Sequence, residues 1–341
     1  MKTKVIVGMS GGVDSTAVAY LLKEQGFEVI GATMATGYGN PEQAAESVCE
    51  RLGIRHMTID CADDFRRFVI DVFADEYLRG RTPNPCTLCN RRVKFETLLA
   101  AAETERADYI ATGHYACVQR GENGRFTLKK PVDKRKDQTY MLYALTQEQL
   151  SKTMFPLADY NKDEVREITR KIGIFACPKP DSQDICFVEK GKYGEFVREL
   201  RAIAPRRGNF LDTKGNIIGE HGGIINFTVG QRRGLKKGFG ERVYVQSVNA
   251  EDNTVTLGTD QELYSRELSA GNVNFVSVPG FEGSLRLDAK IRYSQNFAKC
   301  AAKISDGILN CCFDEPQRAI TPGQPVALYD GDYVVCGGII I

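Results

Sequence analysis

The sequence predicts an α/β protein: an N-terminal doubly wound parallel sheet over residues 1–204, a small β-rich linking domain over 205–264 and a C-terminal β-barrel over 265–341. Three observations predict it. Between residues 4 and 116 short β-branched runs alternate with helical spacing, the pattern of βαβ units. From about Pro205 long helical patterns stop, and strand-length runs alternate with the turn signals "DTKGN", "AEDNT", "SDG" and "YDGD". The 341 residues also exceed one typical domain. The terminal strands suit either a barrel or a sandwich, and the barrel is the expectation.

In chain order, "KVIVGM" is the first strand, followed by a helix from about Val13 to Gln25 and the strand "EVIGATMA". A helix near 41–52, the strand "RHMTIDC", helices near 64–79 and 90–105, and the strand "DYIATGHYA" complete the sheet. Such a sheet binds its ligand beyond the carboxyl ends of the strands. "RGENGR" (120–125) reads as a hairpin turn, after which "TYMLYALTQEQL" and "NKDEVREITRKIG" return to helical spacing.

No run approaches the ~20 apolar residues a membrane span needs, and the opening "MKTKVIVGMSGG" leads straight into a glycine turn, unlike a cleaved leader. A cytoplasmic protein without membrane partners is expected. The formal charge is +1, from 45 Lys and Arg against 44 Asp and Glu, so a polyanionic partner has to be held by local basic patches. Candidates are Arg91, Arg92 and Lys94; Lys129, Lys130, Lys134, Arg135 and Lys136; Arg206 and Arg207; and Arg232, Arg233, Lys236 and Lys237. Each cluster alone also suits a solvated face.

Eleven cysteines make an odd count, which disfavours a purely structural disulfide framework. Cys49, Cys61, Cys117, Cys300, Cys311, Cys312 and Cys336 sit in apolar or strand-like runs and read as small buried hydrophobes. "TPNPCTLCNRR" (82–92) is different, because Cys86 and Cys89 are spaced as half a zinc site, a redox pair, cluster ligands or nucleophiles would be.

"VGMSGGVDS" (7–15) joins the first strand to the first helix, where backbone amides and a helix N-terminus can hold a phosphate. It lacks the Walker lysine and the dinucleotide GxGxxG pattern. The plain alternative is a tight strand-to-helix turn. The string SGGVDS resembles the signature of the PP-loop ATP pyrophosphatases. That resemblance implies an adenylating domain in which Gly8, Met9, Ser10, Gly11, Gly12, Val13, Asp14 and Ser15 hold ATP, with Mg2+, for attack at the α-phosphorus.

Further strings span nearly the whole chain: "GRTPNPCTLCNRRVKF", "ADYIATGHYA", "KDQTYMLY", "DSQDICFV", "GQRRGL", "IRYSQ" and "TPGQPVALYDGDYVVCGGIII". Together they resemble the tRNA-specific 2-thiouridylases of the MnmA type. The resemblance implies that the C2 oxygen of a wobble uridine in a tRNA anticodon loop is adenylated and replaced by sulfur. It makes Cys89 the nucleophile and Cys186 the persulfide carrier, joined in a transient disulfide, and adds Met34 and Gly113 to the nucleotide site. Asn84, Pro85 and Cys86 would meet the target base; His114, Lys136, Asp137, Gln138, Arg292, Tyr293 and Gln324 would meet tRNA. His114 reads equally as a satisfied core histidine. Further implied partners are a sulfur carrier or desulfurase-derived persulfide donor and a cellular thiol reductant.

From the residues themselves, a helix start at Asn90 and the cations Arg91, Arg92 and Lys94 would favour the thiolate of Cys89. Two departures from the family stand out. Cys86 replaces an aspartate found in many members, so Cys86, Cys89 and Cys186 are candidate ligands for a [4Fe-4S] cluster as an alternative route to the same thiolation. "TGYGNPEQ" (36–43) is shorter than the usual acidic and aromatic segment. Two rivals remain: a different PP-loop ligase acting on a small carboxylate, and a non-catalytic RNA-binding or metal-binding module.

Overall fold

A computed structural model describes residues 2–173, 185–235 and 242–341. Asp181 to Asp184 of the "DSQDICFV" string, and Lys236 and Lys237, lie outside the described residues.

Five parallel strands form the first sheet in the order β3-β2-β1-β4-β7. They are β1 (Lys4–Gly8), β2 (Glu28–Ala35), β3 (Arg55–Asp60), β4 (Tyr109–Ala111) and β7 (Thr153–Met154). β1 is central, pairing with β2 (Val5↔Val29) and β4 (Ile6↔Ile110). Its "VIV" run is wholly buried, as a strand covered on both faces must be. From β1 the chain runs outward through β2 and β3 on one side and then crosses to β4 on the other, so a crevice opens between the carboxyl ends of β1 and β4. The residues that follow those ends are Met9–Ser10 and Thr112–His114.

Two helices differ from the expected ones. A continuous helix spans 62–78, with a widened turn at Arg66–Ile70. A second spans 85–104, starting five residues before the expected position. Asn84 caps it by accepting from the Cys86 amide at 3.2 Å, and Pro85 takes the first helical position, where its missing N–H costs nothing. The helical spacing of residues 139–150 resolves into two short helices, Thr139–Leu142 and Gln147–Ser151.

The second sheet, order β10-β11-β8-β9, comprises β8 (Gly208–Leu211), β9 (Ile217–His221), β10 (Tyr244–Asn249) and β11 (Thr254–Gly258). It shares one core with helix 62–78 and helix Tyr193–Arg201, built on Phe65, Phe73, Phe187, Val197, Phe210 and Val255.

Six strands then close into a barrel: β12 (Tyr264–Phe275), β13 (Ser284–Lys290), β14 (Ala298–Ser305), β15 (Ile308–Arg318), β16 (Pro325–Asp330) and β17 (Tyr333–Ile340). β12 pairs with both β15 and β17, which closes the ring. The hairpin at "RGENGR" forms β5 (Cys117–Arg120) and β6 (Phe126–Lys129), but it joins β17 of the barrel, not the parallel sheet. Arg125 fixes it there by donating to the carbonyls of Phe275 and Val276.

Cys49, Cys61, Cys300, Cys311 and Cys336 are buried, while Cys117 is half-buried. Cys312 is exposed, correcting the expectation: neighbours on a strand face opposite sides, so Cys311 fills the barrel and Cys312 meets solvent.

Candidate active site

A single cleft of about 1960 Å³ runs from the crevice of the first sheet to the second sheet and the barrel. Small-ligand pockets measure roughly 300–1,000 Å³, so there is room for a nucleotide and part of a macromolecule together.

At its floor the glycine loop turns from β1 into helix Val13–Glu24. Gly8, Met9, Ser10, Asp14 and Ser15 line the cleft, with Met34 beside them. Gly12 caps the helix without a side-chain acceptor, leaving the first-turn amides to be satisfied from outside. Ser15 Oγ holds the loop by donating to the Gly12 carbonyl (3.2 Å) and meeting the Ser10 amide (3.2 Å). Gly11, Gly12 and Val13 do not line the cleft. Gly11 has φ +68° and abuts Ala44, whose Cβ would lie 2.6 Å from a Cβ at residue 11. Across the crevice Gly113 passes so close that an added Cβ would lie 2.9 Å from Asp14 Cβ. Glycine at 113 lets the two loops touch, and glycine at 11 lets the first loop pass against helix Glu42–Leu52.

Sequence reading missed Lys162. This first residue of helix Lys162–Lys171 donates to both carboxylate oxygens of Asp14 at 2.8 Å, and the Tyr115 hydroxyl donates to Asp14 Oδ1 at 2.8 Å. Asn161 and Glu164 form a capping box readable from sequence, but the approach of Lys162 to Asp14 bridges 148 positions and is set by packing alone.

The cysteine helix forms one wall. Asn84, Pro85, Cys86, Asn90 and Lys94 line the cleft. Cys89 lies one turn behind Cys86, half-buried against the aromatic cluster. The expectation of Cys89 at a helix start is therefore wrong: Asn84-Pro85 is the cap, and the amide end belongs to Cys86. Cys186 is exposed, between cleft-lining Ile185 and Phe187, whose ring packs on Phe65 and Phe73 at 5.7 and 5.3 Å. The fold thus carries Cys86, Cys89 and Cys186 to one neighbourhood, within electrostatic reach of one another. Burial pushes the Cys89 thiol up to about 11 and raises Cys86 and Cys186 as well; the charge of Lys94 pulls each of them back down. Cys86 keeps an open face, but the cleft walls around it still desolvate a thiolate.

His114 lies between Phe95 and Phe155, with Nδ1 2.8 Å from Thr112 Oγ1. Burial, then the charge of Lys94, hold it neutral. One edge of the ring still lines the cleft.

Residues 134–138 run along the rim. Asp137 is buried and accepts from Thr139 N (2.9 Å) and Oγ1 (2.6 Å), while Gln138 Oε1 accepts from the Tyr115 amide at 2.9 Å. Both side chains are committed to the protein's own loop. The basic run beside them is partly spent on docking to the barrel, through Lys134–Asp332 (2.6 Å) and Lys130 over the Phe297 ring (3.8 Å). Opposite them, Arg292 donates to Ala319 O (2.5 Å) and Thr321 Oγ1 (2.6 Å), Tyr293 is exposed, and Lys290 lies 5.4 Å from its ring centroid. Gln324 Nε2 reaches across to the Thr82 carbonyl.

Among the described residues no three His, Cys, Asp or Glu side chains converge as a metal-binding group. Cys86, Cys89 and Cys186 are therefore not gathered as a ready-made cluster site. Nor is any described helix long and apolar enough to cross a membrane.

Residues 3–190 match the tRNA methyl transferase HUP domain family, 195–259 its PRC-barrel domain, and 265–340 the aminomethyltransferase beta-barrel domain. The tRNA-specific 2-thiouridylase MnmA of Acetivibrio thermocellus is 48% identical over 356 aligned positions, covering 99% of each chain. That of Clostridioides difficile is 45% identical, covering 100% of this chain and 98% of its own. The chain belongs to the tRNA-specific 2-thiouridylase family. Within this 2-thiouridylase the two loops that the fold brings to one crevice, 8–15 and 112–115, and the helix that carries Cys86 and Cys89 are the parts that face the cleft together.

Proposed function

We propose that the protein is a tRNA-uridine 2-sulfurtransferase that uses ATP to replace the C2 oxygen of a wobble uridine by sulfur. The observation that carries this reading is the single cleft shared by a glycine loop fit for phosphate and a helix bearing cysteines.

In the cycle we infer, the C2 oxygen attacks the α-phosphorus of ATP, whose phosphates carry Mg2+, and pyrophosphate leaves. The terminal sulfur of a Cys186 persulfide attacks C2; a C–S bond forms and the C2–O bond breaks, with AMP taking the electron pair. Cys89 thiolate then attacks the Cys186 sulfur, leaving a Cys89–Cys186 disulfide and the thiocarbonyl. A dithiol reductant returns two electrons and opens the disulfide, and a persulfide donor reloads Cys186. Met34 and Gly113 belong to the nucleotide end, and Asn84, Pro85 and Cys86 to the base end. His114, Lys136, Arg292, Tyr293 and Gln324 line the path of the RNA, whose phosphates would be met without sequence reading. The cytoplasm, where tRNA is processed, is the compartment this activity requires.

The test supplies ATP, Mg2+, a persulfide donor and unmodified tRNA and seeks 2-thiouridine in the nucleoside digest. The account expects thionucleoside and AMP in equal amounts. Pyrophosphate release driven by a small carboxylate without tRNA would instead establish a ligase, and absence of ATP binding a non-catalytic module.

A further inference from the structure

Three cations follow Cys89 on the same helix, and the backbone treats them differently. Residues Asn90–Lys94 form a widened turn in which the Phe95 amide donates to the Asn90 carbonyl, five residues back. On an ordinary α-helix a residue five positions on lies about 140° round the axis from its start. A turn closed over five residues brings it back over the same face. The widened turn leaves Lys94 on the cleft face together with Cys86 and Asn90 of the same helix.

Only Lys94 of the three lines the cleft. Arg92 is drawn outward, its guanidinium 4.8 Å from the Phe68 ring centroid and 3.4 Å from Glu96. The Arg91 carbonyl accepts from Gln149, and Arg91 stays behind the helix toward Tyr143. Lys94 has no carboxylate partner among the described residues. Its charge reaches Cys86, Cys89, Cys186 and His114, the groups that span the thiol and nucleotide ends of the cleft. An uncompensated, half-buried cation facing three thiols is electrostatically unfinished, and an anion completes it.

We propose that Lys94 is the cation of the thiol site, placed by the widened turn to hold the Cys186 persulfide as its reactive anion before it attacks C2 and to stabilise the sulfur anion released on the pyrimidine when Cys89 attacks the Cys186 sulfur. This rests on the sulfurtransferase reading above. It assigns Lys94 to the sulfur-transfer step, and not to ATP capture, which the glycine loop and Lys162 serve at the far end. Related chains can be expected to keep the widened turn wherever they keep both the cysteine and the lysine.

The test uses the full chain, loaded with persulfide by inorganic polysulfide, in single turnovers with ATP, Mg2+ and unmodified tRNA. Lys94→Gln should slow 2-thiouridine formation by about 100-fold, the loss that follows removal of one preorganised charge-stabilising group, while the Kd for ATP and the KM for tRNA stay unchanged. Lys94→Arg should restore most of the rate, which a structural role for the stem would not require. If Lys94→Gln does not fold, Lys94→Met, which keeps the apolar stem contacts, takes its place. Cys89→Ser and Cys186→Ser run alongside: thionucleoside from either defeats the thiol reading itself. If both serine variants are inactive and the neutral Lys94 variant turns over at the wild-type rate, only the role of Lys94 falls. Equal inactivity of the neutral and arginine variants also overturns it.

Discussion

The side-chain amide of Gln324, on the barrel, donates to the backbone carbonyl of Thr82 at 2.8 Å, and the Thr82 amide donates to Pro322 O at 2.9 Å. The segment leading into the cysteine helix is thereby pinned to the end of the chain, across 242 positions. Gly323 makes this possible: its φ is +92°, and a Cβ there would lie 2.9 Å from the Thr82 carbonyl carbon and oxygen. Gly323→Ala should therefore cost roughly 1–3 kcal/mol, from positive-φ strain and displacement of the 82–84 segment. A lower melting temperature should be accompanied by slower thiolation with ATP affinity unchanged. Wild-type values of both would show the pin to be unimportant.

Lys162 neutralises Asp14 at the glycine loop, and its side chain is 10% exposed against 31% for the carboxylate. Lys162→Met strands that carboxylate. Tyr115 still donates to it and the carboxylate is 31% exposed, so the loss should be roughly 1–3 kcal/mol. ATP binding should weaken with it, measured by calorimetry, because the loop is no longer held. Unchanged ATP affinity would place Lys162 outside the nucleotide site.

Burial raises the Cys89 thiol to about 11, so at neutral pH its reactive thiolate is scarce in the resting protein. A raised thiol pKa means the anion appears only as pH climbs toward that value. Alkylation of Cys89 should therefore keep rising about tenfold per pH unit well past the ordinary thiol value of about 8.5. Peptide mass spectrometry after brief alkylation reads this directly. A plateau below about pH 8 would mean that the resting protein already holds a thiolate.

Cys86 faces the cleft at the first turn of its helix. Cys86→Asp should retain thiolation, and protein purified without oxygen should carry no stoichiometric iron. Iron bound by the native chain and lost together with activity in this variant would establish the cluster route.

How legible was this site in the sequence? The parallel sheet, the hairpin and the barrel follow from patterns of period and turn that act over a few residues, and they are present. The start of the cysteine helix was also written locally, in the Asn84-Pro85 cap and first position, five residues before the expected start at Asn90. The widened turn at Asn90–Lys94 has no comparable sequence signature, because helical propensity does not register one extra residue per turn. Lys162 against Asp14, Gln324 against Thr82 and the hairpin on β17 are long-range contacts decided by packing. Residue pattern alone gave no sign that the basic run near Lys130 is used partly to dock the barrel.

The central claim is that sulfur passes between Cys186 and Cys89. Its most direct test is one turnover on persulfide-loaded protein with ATP and tRNA but no reductant, followed by acid quench and non-reducing peptide mapping. A peptide linking Cys89 to Cys186 should appear in step with 2-thiouridine, one per thionucleoside. Full formation of 2-thiouridine with both cysteines recovered as free thiols would contradict the account.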